Sequence, residues 1–124
     1  MTYTGIENLE IWKVARKLRI EISLLVKKFP PEEKFMLKSQ IVRFSKSIPA
    51  NIAEGFGRFH FQENIQFCRQ ARGSLIETLE HLICSFDEGY IDEAKLIEMR
   101  KLVDDCHFKI NSYIKYLKTA KQTQ

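Results

Sequence analysis

Three histidines, three cysteines and a few clustered carboxylates are the side chains here that could carry reaction chemistry, and their spacing argues against it. His60, His81 and His107 lie far apart, and Cys106 and His107 are neighbours, so on a helix they point to different faces. Glu77, Glu80 and the Asp104–Asp105 pair could suggest a di-metal carboxylate bundle. Such a bundle needs Glu-x-x-His pairs, and the glutamates nearest His81 stand four and one residues before it. No phosphate-binding loop, dinucleotide fingerprint, HExxH helix or nucleophile elbow occurs. These absences predict no catalytic residue, no cofactor, no metal and no small-molecule substrate. The chain reads as something other than an enzyme.

Cys68, Cys84 and Cys106 are an odd number without C-x-x-C spacing, which fits buried thiols in a reducing compartment better than disulfides or zinc. No apolar run approaches membrane length and no secretory segment follows Met1, so the expectation is a cytoplasmic protein without membrane contact.

Polar side chains form one ordered pattern. Gln40, Arg43, Ser47, Asn51, Glu54 and Arg58 recur at helical spacing and share one helix face. Three destinies are open to that stripe: a solvated outer face, a subunit interface or central channel, or a ligand-contacting surface. Small residues (Ser45, Ala50, Ala53, and Gly73 beside Ser74) would let another helix approach closely. Arg72 falls on an apolar seam, where a guanidinium is costly unless paired. The expectation is an ion pair between Arg72 and Glu54, with Glu77 as the other candidate.

The net charge is +4, with 20 basic against 16 acidic residues. The excess gathers near the start (Lys13, Arg16, Lys17) and in the C-terminal run (Lys109, Lys115, Lys118). If the first and last helices are neighbours, these form a basic flank for RNA or DNA. Its contacts would go to phosphates, independent of sequence and sensitive to salt. Trp12, with Tyr3 and Phe29, reads as core or interface packing and not as a base-stacking platform.

Four amphipathic helices must position these residues. Their apolar seams run Ile11, Ala15, Leu18, Ile22, Leu25, Phe29; then Leu37, Ile41, Phe44, Ile48, Ile52; then Phe61, Ile65, Cys68, Arg72, Leu75, Leu79, Leu82, Phe86; then Leu96, Met99, Val103, Cys106, Ile110, Tyr113, Leu117. Pro30 and Pro31 end the first helix, and Pro31 with Glu32 and Glu33 is placed to open the second. Pro49 predicts a kink in helix two. Gly55 and Gly57 predict its C-cap, and Asp92 predicts an N-cap for helix four. At 124 residues there is one core, over 1–117, with a polar, frayed tail over 118–124. The predicted fold is all-α, an antiparallel up-down-up-down four-helix bundle. Apolar residues off the seams, among them Val26, Phe56, Phe59, Ile76, Ile97 and Phe108, either widen the core faces or form a surface that another copy covers.

The run Ser47-Ile48-Pro49-Ala50-Asn51-Ile52-Ala53-Glu54-Gly55-Phe56-Gly57-Arg58 resembles the signature of the four-helix-bundle proteins encoded in intervening sequences of 23S ribosomal RNA genes. Leu9-Glu10-Ile11-Trp12, Gln40 to Arg43, Ala71-Arg72-Gly73-Ser74 and Gly89-Tyr90-Ile91-Asp92 extend the likeness over about Leu9 to Leu117. The resemblance implies a bundle that assembles as a ring-shaped homopentamer. It also implies a more distant similarity to the accessory variability determinant of diversity-generating retroelements, a basic pentamer that works with a reverse transcriptase and nucleic acid. It does not imply a structural ribosomal protein. His60 and Asn64 depart from the family's usual small hydroxyl cap and later aromatic, although His60 with Glu63 could imitate a capping box.

The functional expectation is a homo-oligomeric helical module that binds RNA or DNA non-specifically through basic outer faces. The alternative is a scaffold that binds only protein.

Overall fold

Each apolar seam becomes a helix in the structure, a computed structural model that describes residues 5–33 and 36–122. Helices α1 (Glu10–Val26), α2 (Leu37–Gly57), α3 (Phe61–Asp87) and α4 (Glu93–Gln122) are joined by short connections, with 3-10 turns at Ile6–Asn8 and Pro31–Glu33. No strand occurs among the described residues.

The five seam residues within α1 are buried, because their three-and-four spacing aligns them on one face and hydrophobic burial holds that face inward; Phe29, three residues past the helix end, is buried too. The chain tightens as α1 ends, through bonds from Lys28 N–H to the Leu25 carbonyl and from Phe29 N–H to the Val26 carbonyl, both 3.1 Å. Pro31 opens only the 3-10 turn, and α2 begins later, at Leu37. The fixed φ of proline suits either kind of helical turn, so it did not identify which would follow. Helix α2 continues through buried Pro49. Proline cannot donate to the Ser45 carbonyl a turn earlier. Ser45 is itself buried and donates its hydroxyl to the Val42 carbonyl at 3.0 Å.

Helix α3 closes on Gly89, at φ +79°. Tyr90 N–H bonds the Ser85 carbonyl and Gly89 N–H bonds the Phe86 carbonyl, both at 2.9 Å. This pair of bonds is the Schellman arrangement, which satisfies carbonyls that a helix end leaves open. Asp92 then caps α4, its carboxylate accepting from Lys95 N–H at 2.8 Å. Helix α4 runs on to Gln122, taking in 118–122 of the polar tail, while 123 and 124 lie outside the described residues.

Side-chain pairs fix the relative directions. Gly55 lies against Asn64, Ser47 against Ser74 and Phe44 against His81, so α2 and α3 run antiparallel. Lys121 meets Gln62 and Asn111 meets Arg72, so α3 and α4 do too. Helix α1 packs on both α2 and α4, closing the bundle around Leu18, Ile48, Leu75, Val103 and Ile110. Of the apolar residues off the seams, Val26 is buried and Phe56 half-buried, while Phe59, Ile76, Ile97 and Phe108 are exposed. Phe29 is buried and Trp12 half-buried; Tyr3 lies outside the described residues.

Candidate functional site

The polar stripe of α2 divides into three parts. Gln40 and Arg43 are exposed at one end, the Arg43 guanidinium 5.3 Å from the Phe44 ring centroid. In the middle, Ser47 and Asn51 are half-buried and join α2 to α3. The Ser47 and Ser74 hydroxyls are 2.8 Å apart, and the Asn51 amide donates to the Ser47 carbonyl and hydroxyl at 3.0 and 2.9 Å. At the other end Arg58 bridges Glu54 and Glu63 at 3.4 and 3.5 Å and lies over the Phe67 ring. Exposed pairs of this kind contribute little to stability. Glu63 is thus held by Arg58, and His60, although it precedes α3, makes no side-chain cap bond.

Arg72 is not in an ion pair with Glu54 or Glu77. It is half-buried at the bundle edge, and its guanidinium donates to the Asn111 side-chain oxygen of α4 at 2.7 Å. Helix α3 is rotated relative to its apolar seam. Its buried face runs Asn64, Ile65, Cys68, Ala71, Leu75, Thr78, Leu82 and Ser85. Thr78 and Ser85 fit this tight face because their hydroxyls bond carbonyls of their own helix, Ser74 at 2.9 Å and His81 at 2.7 Å. That rotation carries Arg72 outward. Gly73 is exposed, with nothing within 4 Å of where a Cβ would stand, so no contact inside the chain requires glycine there.

The basic residues occupy the half of the bundle where α1 begins and α4 ends, in two groups. Lys13 pairs with Glu10 at 3.3 Å and Arg16 lies over the Trp12 ring, while Lys17 has no ion pair. On α4, Lys109 pairs with Asp105 at 3.5 Å, and Lys115 and Lys118 are exposed and without ion pairs among the described residues. Residues 106–122 contain four lysines and no acid. Lys118 shares a hollow of about 320 Å³ with Lys121 and with Arg69 of α3. Lys118 therefore lies toward α3, so the six residues do not share one flank of α1 and α4.

The end of the bundle at the α2–α3 turn carries a feature not singled out in the sequence. The turn from α2 to α3 carries Phe56, Phe59, His60 and Phe61, which with Tyr113 and Tyr116 of α4 line a hollow of about 280 Å³. Gly55 and Gly57 do not supply the left-handed turn expected of them. Gly55 is buried where a Cβ would meet the Asn64 oxygen at 2.7 Å and the Phe67 Cβ at 2.9 Å; Gly57 remains helical. The left-handed residue is Phe59, at φ +60°, with 87% of its surface exposed. Among the described residues only Arg58 N–H closes the end of α2 with a backbone bond, to the Gly55 carbonyl at 3.3 Å. Tyr116 is 61% exposed and stacks on Tyr113 with ring centroids 5.9 Å apart. Tyr113 is half-buried and accepts from the Asn64 amide at 3.3 Å. Burial pushes its phenol pKa up, against the pull of that hydrogen bond. The three-residue spacing of Phe56, Phe59 and Tyr113, Tyr116 was the available sequence signal.

Thiols and imidazoles do not converge. Burial pushes Cys68 from 9.0 to about 11 and Cys106 to about 12, which makes both poor nucleophiles at neutral pH. Cys84 is half-buried and its pKa also rises, through desolvation first and the adjacent Glu80 second. No cluster of three metal-ligating side chains exists among the described residues, and no described helix is long and apolar enough to cross a membrane. His81 stacks on Phe44, its Nε2 buried without a hydrogen-bond partner.

The family model for the 23S rRNA-intervening sequence protein matches residues 7–112. Among solved structures, the chain is similar to a Bacteroides thetaiotaomicron protein of unknown function from the S23 ribosomal protein family. The two are 24% identical, with 85% of this chain and 98% of the other covered at a TM-score of 0.78. That likeness shows the shared fold. No curated protein matches the sequence.

Proposed function

The chain belongs to the 23S rRNA-intervening sequence protein family, and we propose that it works without catalysis, as a cytoplasmic homo-oligomer that holds RNA or DNA through basic surface. The observation that carries the nucleic-acid reading is the acid-free last half of α4, where exposed Lys115 and Lys118 lack carboxylate partners. Unneutralised lysines of this kind attract phosphates by releasing condensed counterions. Lysines near a helix C-terminus also favour the helix dipole, but that effect is confined to the last turn. Lys109 and Lys115 lie before that turn. Assembly would repeat the basic surface and raise its avidity.

Gly73 supports the assembly. A glycine inside a helix costs about 1 kcal/mol relative to alanine, and nothing within this chain explains it. Close approach of a second copy over Gly73, exposed Ala50 and the outer ends of the polar stripe would offset that cost. The family resemblance makes a pentameric ring the first form to test. The same observation also fits the second reading, a scaffold that binds only protein.

Filter binding of an RNA fragment across a salt series separates the two. Non-specific binding that weakens linearly on a log–log salt plot supports the first, and no binding at low salt leaves the scaffold. Native mass spectrometry reads the assembly, and a monomer at micromolar concentration would contradict it.

A further inference from the structure

The aromatic end of the bundle combines two costs that the fold does not require. A phenylalanine sits in left-handed backbone, which an L-residue adopts reluctantly, and its ring faces water. Glycine at Phe59 would remove both. Strain kept at a surface position is a mark of function. Tyr116 stands exposed across the same hollow, and a separate hollow between α3 and α4 is lined by Lys118 and Arg69, which have no ion pair among the described residues. Flat apolar faces flanked by unpaired cations match a ligand with flat apolar faces joined by anions.

We propose that this end binds single-stranded nucleic acid, with unpaired bases stacking on Phe59 and Tyr116 while Lys118 and Arg69 hold phosphates where the strand runs on into the neighbouring α3–α4 hollow. This rests on the nucleic-acid reading above and deepens it. A basic face alone accepts duplex and single strand alike, whereas stacking requires bases free of their partners. Phe59 is held from behind by Phe56, with centroids 6.5 Å apart, and Tyr116 by Tyr113. Both exposed rings are therefore backed by a second ring. Asn64 is not free to read a base edge, its amide on Tyr113 and its oxygen accepting from the Cys68 thiol, which leaves exposed His60 as the imidazole on the lining. Selection is for strandedness rather than sequence.

The test is fluorescence anisotropy of a labelled oligouridylate and of a mixed-sequence RNA duplex of equal length, with the full chain in its native assembly. The wild type is expected to favour the single strand. Phe59→Ala and Tyr116→Ala should each weaken single-strand binding by roughly 5- to 150-fold, the range for one base–aromatic stack. Duplex binding should be unchanged. Phe59→Gly, which also relieves the backbone, should lose the same binding while folding at least as well as wild type. Phe108→Ala, which removes an exposed ring outside this hollow, should leave single-strand binding unchanged. The Arg69→Gln, Lys118→Gln double variant should lower both affinities and reduce the single-strand salt slope by about 0.7 per cation. Wild-type affinity from the aromatic variants, alongside salt-sensitive binding of both ligands, overturns the stacking proposal and spares the backbone reading. No binding of either ligand by the wild type at low salt overturns both.

Discussion

The bundle turns back on itself at two comparable places, after α2 and after α3, and solves the same problem in opposite ways. At Gly89 the left-handed residue has no side chain, both Schellman bonds form, and Asp92 caps the next helix three residues on. At Phe59 the left-handed residue is large and exposed, the closing bond is a single one, and His60 offers no side-chain cap. The α3–α4 turn is built for stability. The α2–α3 turn gives stability up, and what it presents in exchange is an exposed aromatic surface.

Substitutions at the glycines and at Phe59 can break this comparison. The largest effect is expected from Gly55→Ala, whose Cβ would fall 2.7 Å from the Asn64 oxygen. Overpacking at a closed helix crossing should cost about 1–3 kcal/mol, read by urea denaturation. A neutral result would mean that the crossing under the aromatic turn is loose. Gly89→Ala should cost about 1–2 kcal/mol through backbone strain alone, since nothing lies near its Cβ position. Phe59→Gly should move the other way, raising stability by up to about 1 kcal/mol as left-handed strain is relieved against the added chain entropy of glycine. Loss of stability in Phe59→Gly would show the ring to be structural.

The smallest effect near neutrality is a pH dependence. Cys68 lies beneath the aromatic turn, bonded to Asn64, and Cys106 sits in the core of α4. Burial holds both thiols protonated, at about 11 and about 12 against 9.0. Above pH 9.0 the unfolded chain releases these protons while the folded chain keeps them. Their contribution is therefore complete below that pH and is lost progressively as pH rises towards about 12. Urea midpoints measured from pH 7 upwards should fall past this threshold, and less steeply in Cys106→Ala.

The helices, their seams and the Asp92 cap were legible because periodicity and capping are local chemistry. The rotation of α3 was not, since Thr78 and Ser85 look polar in sequence and become core-compatible only when their hydroxyls bond their own helix. That rotation also decides Arg72, which goes to Asn111 instead of Glu54. The stripe of α2 was legible as a face, but its division into an inter-helix seam around Ser47 and exposed ends depends on where α3 sits. The aromatic end was missed because it is assembled from a turn and from α4, about fifty residues apart in sequence. The glycines also drew attention to themselves, while the backbone outlier fell on Phe59.

Mapping backbone amide shifts during titration with a single-stranded oligouridylate would test the account most directly. The difference between the two turns predicts that shifts gather at Phe59–Phe61 and around Tyr116 and Lys118, leaving Gly89–Asp92 unmoved. Shifts centred on the Gly89 turn, or none at saturating ligand, would contradict it.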